Sequence, residues 1–192
     1  MKKWDLKKFV SIALLSTLAF ILMFIKFPIP PFPSFLTVDF SDVPVLVAAL
    51  LYGPMASVVA ELIKNILNYL SLGSEAGVPI GNAANFFAGI LFVLPTYFIY
   101  RRMRTKKGMT VGLIAGTVSM SVFMSILNYF VILPAYLYFM NFSVGNVKQY
   151  IVAGVLPFNL VKGVIVTILF MLMFTKMKNW IDKQSTTGIK KI

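Results

Sequence analysis

The chain contains no cysteine and no histidine. The first absence excludes disulfides and thiolate metal sites. The second excludes imidazole-held haem or zinc and any nucleophile activated by histidine. Acidic residues are scarce as well, six against 18 Lys and Arg in 192 residues. No G-x-x-x-x-G-K-[ST] loop occurs, so ATP hydrolysis by that route is absent from this chain. G-x-S-x-G is missing too, as is any cluster of metal ligands. Enzyme chemistry has little to stand on, and the expectation is a non-enzyme with no resident cofactor.

What is present in excess is apolar surface. The composition is 59% hydrophobic with a mean hydropathy of +0.86, which belongs to an integral membrane protein. The net charge of +12 would suggest nucleic acid in a soluble protein. Here the basic residues flank apolar runs, so anchoring in a lipid bilayer accounts for them and no nucleic-acid partner is expected. The length suits a single membrane domain over residues 1–192. The first apolar run, 9–25, follows lysines and lacks a small-residue cleavage site. It is expected to be a retained helix, with a cleaved signal peptide as the alternative.

Hydrophobic runs and breakers predict an all-α bundle of six transmembrane helices, at about 7–25, 43–52, 54–72, 82–100, 109–140 and 149–178. Residues 43–72 divide at Gly53-Pro54. With six spans both termini are cytoplasmic, and 14 of the 18 basic residues fall on that side. Five spans break the pattern. On the first helix Ala13, Ser16, Thr17 and Ala19 make a small-residue surface for a close helix contact, either inside the bundle or with a partner. Residues 26–42 hold Pro28, Pro30, Pro31 and Pro33, which forbid a helix and favour a stiff, extended segment. Being apolar, it is expected to fold over the bundle as a lid. Ser41 or Asp42 is expected to cap the next helix, with Pro44 in its first turn. Glu61 and Lys64, at i and i+3, are expected to form an intramembrane ion pair. Residues 71–81, with Glu75, read as a flexible outer loop.

The run 149–175 carries one charge, Lys162, near its middle. A charge deep in hydrocarbon costs at least ~2.5–3.5 kcal/mol on insertion scales. Asn159 lies one turn before Lys162 and on the same face, and Pro157 is expected to kink the helix just above them. At ~1.5 Å per residue from the cytoplasmic helix ends, Asn159 stands at about 25 Å and Lys162 at about 21 Å. Asn128, Asn85 and Asn68 stand at about 28, 24 and 21 Å on the same rise. All five fall in the outer half of a core ~30 Å thick, beneath the proline-rich segment. The layer offers amide donors, amide acceptors and one ammonium, with no obvious acid. It suits a planar, uncharged or weakly anionic molecule bearing several carbonyl and N–H groups. A hydrogen-bond network between helices, and a Lys162 that snorkels or pairs with a buried acid, are the structural alternatives.

Four stretches carry a resemblance: Thr37-Val38-Asp39-Phe40-Ser41-Asp42-Val43-Pro44; Tyr52-Gly53-Pro54; Ser125-Ile126-Leu127-Asn128-Tyr129 with Leu133-Pro134-Ala135-Tyr136; and Leu156-Pro157-Phe158-Asn159-Leu160-Val161-Lys162-Gly163. With them the chain resembles, over nearly its whole length, the riboflavin-specific substrate-binding subunit (S component) of energy-coupling-factor (ECF) vitamin transporters. The resemblance implies a six-helix bundle in the cell membrane that binds riboflavin from outside as its transported ligand. It also implies a partner module of one membrane-embedded T component and two cytoplasmic ATPases. Asn128, Asn159 and Lys162 match flavin-binding positions, and the loop after the first helix, with Val38, Asp39 and Phe40, is implied to hold the ligand together with helices 4 to 6, to which the depth count adds Asn85 and Asn68 as candidate ligand contacts. The family docks through an Ala-x-x-x-Ala pattern. Here it becomes Ala13-Leu14-Leu15-Ser16-Thr17, which implies docking through Ala13 and Thr17. Alternatives are an S component for thiamine or biotin, and a self-sufficient secondary transporter coupled to protons through Glu61, for which no internal repeat is visible.

Overall fold

The computed structural model describes residues 6–33, 36–74, 76–140 and 144–185. Ser34, Phe35, Glu75 and the lysines at 2, 3, 190 and 191 lie outside them. The helices are α1 (Leu6–Met23), α2 (Asp42–Tyr52), α3 (Pro54–Leu72), α4 (Ile80–Met103), α5 (Lys106–Leu127), α6 (Leu133–Met140), α7 (Val147–Tyr150) and α8 (Leu156–Gln184). A π turn, Asn128–Ile132, joins α5 to α6, and a second, Ile151–Val155, joins α7 to α8. Among the described residues four helical runs are long and apolar enough to cross a membrane: α1, α4, Lys106–Met140 and Val147–Ile181. α2 has only 11 residues, about 16 Å, and α3 carries five buried polar side chains at Ser57, Glu61, Lys64, Asn65 and Asn68.

Burial is inverted relative to a soluble protein. Leu14, Ile114, Phe123, Ile168 and Leu172 face outward, while Asp39, Asp42, Glu61 and Lys64 are enclosed. Bilayer provides the apolar exterior with a matching solvent, so this all-helical molecule is a membrane protein. α2 is central: Asp42 to Leu51 are all buried, with α1, α3, α4 and α8 around it. It ends at Gly53, whose φ of 94° falls in the region open to glycine, and Pro54 starts α3 at once.

The proline-rich segment is a small hairpin. Phe27–Pro28 pairs antiparallel with Thr37–Val38, with Phe27 opposite Val38. Phe32 packs edge-on against Phe158 of α8 at 5.7 Å between ring centres, which holds the hairpin over the helix end that carries Asn159.

Three local expectations change. Ser41 occupies the N-cap position of α2 and Asp42 its first turn, but the Ser41 side chain makes no capping hydrogen bond. Ser41 turns its hydroxyl to Asp39 and Lys64, and Asp42 pairs with Lys64 at 2.8 Å, because a fully buried ammonium draws nearby acceptors more strongly than one exposed-type cap does. Pro157 follows a π turn, as does Pro134. In each case the five-residue bond (Leu156 N–H to Ile151 O, Leu133 N–H to Asn128 O) comes just before the proline that lacks a donor. The small residues of α1 also divide. Ser16 and Ala19 face into the bundle, while Ala13 and Thr17 are exposed.

Candidate ligand-binding site

Two adjoining hollows lie where the hairpin meets α4, α5, α6 and α8. The inner one, about 90 Å3, is walled by Leu36 and Thr37 of the hairpin, Gly81, Ala84, Asn85 and Ala88 of α4, and Met124 of α5. Asn128 and Ile132 of the first π turn, Tyr136 of α6, and Phe158, Asn159 and Lys162 of α8 complete it. The outer cleft, about 430 Å3, shares Thr37, Gly81, Asn85 and Tyr136 and adds Lys26, Asp39, Asn68, Ser74 and Asn82. Together they fall within the ~300–1,000 Å3 of small-molecule sites.

Helix geometry fixes how the amides are presented. Asn128 Nδ2 donates to Met124 O at 2.8 Å, and Asn159 Nδ2 donates to Val155 O at 2.8 Å. Each side chain is thus pinned to its own preceding turn, with its carbonyl oxygen and second N–H left for a ligand. Both asparagines sit at π turns, Asn128 opening one and Asn159 four residues beyond the other, and such turns recur at functional sites.

The two buried lysines differ in how they are satisfied. Lys64 is 0% exposed, donates hydrogen bonds to Asp42 Oδ1 at 2.8 Å and Ser41 Oγ at 2.7 Å, and forms an ion pair with Glu61 at 2.8 Å. Lys162 is 4% exposed and has Asp39 Oδ2 at 3.7 Å, beyond hydrogen-bond length, with no hydrogen bond among the described residues. Its N–H donors remain unspent in the inner cavity. The Glu61–Lys64 pair expected from spacing is therefore present, enlarged by Asp42. Gly89 of α4 leaves room for it, since a Cβ there would run into the Glu61 carboxylate.

Asn85, Asn128, Asn159 and Lys162 share the inner cavity, whereas Asn68 lies in the outer cleft, bound to Asn82 at 2.8 Å. Asp39 reaches the outer cleft, so the layer does contain an acid, contrary to the expectation from helix depths. Counting along helices missed it because the hairpin, not a helix, delivers it. Val38, in the hairpin itself, is fully buried, and neither Val38 nor Phe40 lines either of these two hollows; Leu36 and Thr37 do. Alternation along the extended chain accounts for Thr37 and Asp39 facing the hollows while Val38 and Phe40 do not; Leu36 precedes the strand and falls outside that pattern. Gly81, Ala84 and Ala88 were also not singled out, though with Asn85 they follow the i, i+3, i+4, i+7 pattern of one helix face. Tyr136, eight residues after Asn128, was likewise legible from helical spacing.

Comparison with known proteins gives one consistent result. The family profile described as "ECF transporter, substrate-specific component" matches residues 7–174. "Riboflavin transporter FmnP" of Bacillus subtilis (strain 168) is 48% identical over 186 residues, 95% of this chain and 98% of that protein. "Riboflavin transporter RibU" of Staphylococcus aureus (strain TCH60) is 45% identical over 179 residues, 92% and 93% of the two chains. A solved structure described as the S component of a bacterial ECF transporter superposes with a TM-score of 0.77 at 45% identity, covering 91% of this chain and 96% of that one. A lipid-facing helical bundle with a polar hollow under a hairpin, matched over most of its length by these proteins, belongs to the substrate-specific components of ECF transporters.

Proposed function

We propose that the chain binds riboflavin from the outer side of the cell membrane and delivers it as the substrate-binding subunit of an ATP-driven importer. The observation that carries the ligand assignment is the unspent ammonium of Lys162 between two pinned amides. The pyrimidine edge of a flavin presents carbonyl, N–H and carbonyl in a row. An asparagine with a free carbonyl oxygen and a free N–H matches that edge, and an ammonium matches a carbonyl oxygen or ring nitrogen. Met124, Ile132 and Phe158 supply apolar walls for the ring faces, and the cleft with Asn68, Ser74 and Asn82 supplies polar ones for a hydroxylated side chain. The names of the relatives support the same ligand over thiamine or biotin.

A six-pass bundle with both ends inside fits the contacts. Ser185, just past α8, donates to Leu50 O near the end of α2 at 3.0 Å, which supports α2 ending on the side where α8 ends. Although short, α2 then completes a crossing begun by the inserted residues that precede it. Ala13 and Thr17 are exposed on α1, and Thr17 Oγ1 donates back to Ala13 O at 2.9 Å, leaving no unmet polar group on that face. It suits close contact with the helix of a membrane T component, which two cytoplasmic ATPases would energise. A proton-coupled secondary transporter gains no support, because Glu61 lines neither hollow and is paired with Lys64. Protein purified from riboflavin-containing medium should be yellow. A colourless preparation that leaves added riboflavin fluorescence unquenched counts against the assignment.

A further inference from the structure

Asp39 is a buried carboxylate, 3% exposed, and its polar contacts among the described residues are all with donors. Ser41 N–H donates to Oδ1 at 2.9 Å, the Ser41 hydroxyl donates to the same oxygen, and Asn85 Nδ2 donates to Oδ2 at 3.2 Å. The hydroxyl has no freedom to turn, since Lys64 donates to Ser41 Oγ at 2.7 Å and leaves its single proton for Asp39. A polarised chain therefore runs from Lys64 through Ser41 to Asp39, whose far oxygen faces Lys162 at 3.7 Å. The cluster joins three carboxylates, Asp39, Asp42 and Glu61, with two ammoniums, Lys64 and Lys162. It holds no surplus positive charge. Lys162 is thus available as a hydrogen-bond donor without making the cavity a receptor for anions.

We infer that Asp39 is the specificity-determining counter-ion of the site. By cancelling the charge of Lys162 it makes the cavity select a flavin whose ring is uncharged and discriminate against a ring that carries a negative charge on its pyrimidine edge. Ser41 and Lys64 act through Asp39 as positioning residues. This inference rests on the riboflavin reading. An anionic edge would gain from Lys162 but meet Asp39 close behind it, and near a buried pair neither effect is screened by water.

The test uses a riboflavin analogue with a hydroxyl on the benzene end of the ring. Its ionisation near neutral or mildly acidic pH delocalises negative charge onto the pyrimidine edge and shifts the absorption band. Binding of the full chain in detergent is titrated on both sides of that ionisation, with riboflavin as the uncharged control. The other groups facing the ligand are Lys162 of α8, Asp39 behind it, Tyr136 of α6 and Lys26 at the cleft mouth. All but Asp39 are common to the two proteins compared. Unsubstituted protein should bind the ionised analogue about 10-fold more weakly than its neutral form, and Asp39→Asn should abolish or reverse that preference. Asp39→Glu should restore it. An Asp39→Asn protein with the same ionisation penalty as the parent overturns the inference while the riboflavin reading stands. If Asp39→Asn fails to fold, Asp39→Asn with Lys162→Met decides the matter. Recovery of the melt traces the defect to an unbalanced ammonium and supports the inference, whereas a second failure makes Asp39 structural and overturns it. A parent protein that binds neither riboflavin nor the analogue sinks the riboflavin reading itself.

Discussion

Lys64 and Lys162 are partnered very differently within one bundle. Lys64 is held by two carboxylates and a hydroxyl, so Lys64→Met leaves Asp42 and Glu61 buried without their ammonium counter-ion. That substitution should lower the stability of the protein by ~3–5 kcal/mol, read as a fall in the thermal melt. Lys162→Met removes the counter-ion of Asp39 but leaves that carboxylate its donors on Ser41 and Asn85, so the melt should fall by less than for Lys64→Met, while riboflavin binding falls by at least as much as for the asparagine changes. Asn128→Ala and Asn159→Ala should each cost ~1–3 kcal/mol, or about 5- to 150-fold in dissociation constant by fluorescence titration. A lost melt with intact binding in Lys162→Met would reverse the two roles. The distinction was partly legible in the sequence. Glu61 stands three residues from Lys64, whereas the counter-ion of Lys162 lies on a distant hairpin that spacing along a helix does not reveal.

At the scale of elements, breakers were more readable than shapes. Gly53-Pro54 announces the break between α2 and α3, and the positive φ of Gly53 predicts that Gly53→Val costs ~1–3 kcal/mol of stability. The π turns left no such mark. An extra residue in a turn shifts every following side chain around the helix, but the apolar residues of a membrane span fall on all faces and hide the slip. The hairpin was expected only as an extended segment, because two-residue strands are set by tertiary contacts such as Phe32 with Phe158. α1 offers a test that separates binding from transport. Its inner face, with Ser16 and Ala19, packs the bundle, while Ala13 and Thr17 stand outside it. Ala13→Trp or Thr17→Arg should abolish riboflavin uptake in cells carrying the partner module and leave binding by the purified protein within about twofold. Loss of both would place that face in internal packing.

Across the whole molecule, apolar residues face lipid and the buried charges gather between the hairpin, α2, α3 and α8, beside a polar hollow. That inversion was plain from composition, and the meeting of Asn85, Asn128, Asn159 and Lys162 could be anticipated from depth along each helix. Which residues of the hairpin close the hollow could not, since that depends on how a short strand pair turns its alternate side chains. With no nucleotide-binding loop in the chain, the protein reconstituted alone in liposomes should bind riboflavin without accumulating it, and accumulation should require the partner ATPases. The central claim is that this hollow holds one riboflavin through Lys162 and the two pinned amides. The most direct measurement is a riboflavin fluorescence titration of the purified protein beside Lys162→Met, with the melt of each recorded. The account predicts quenching that saturates at one equivalent for the parent and is lost or strongly weakened in a fully folded Lys162→Met; equal quenching by both proteins, or none by the parent, would contradict it.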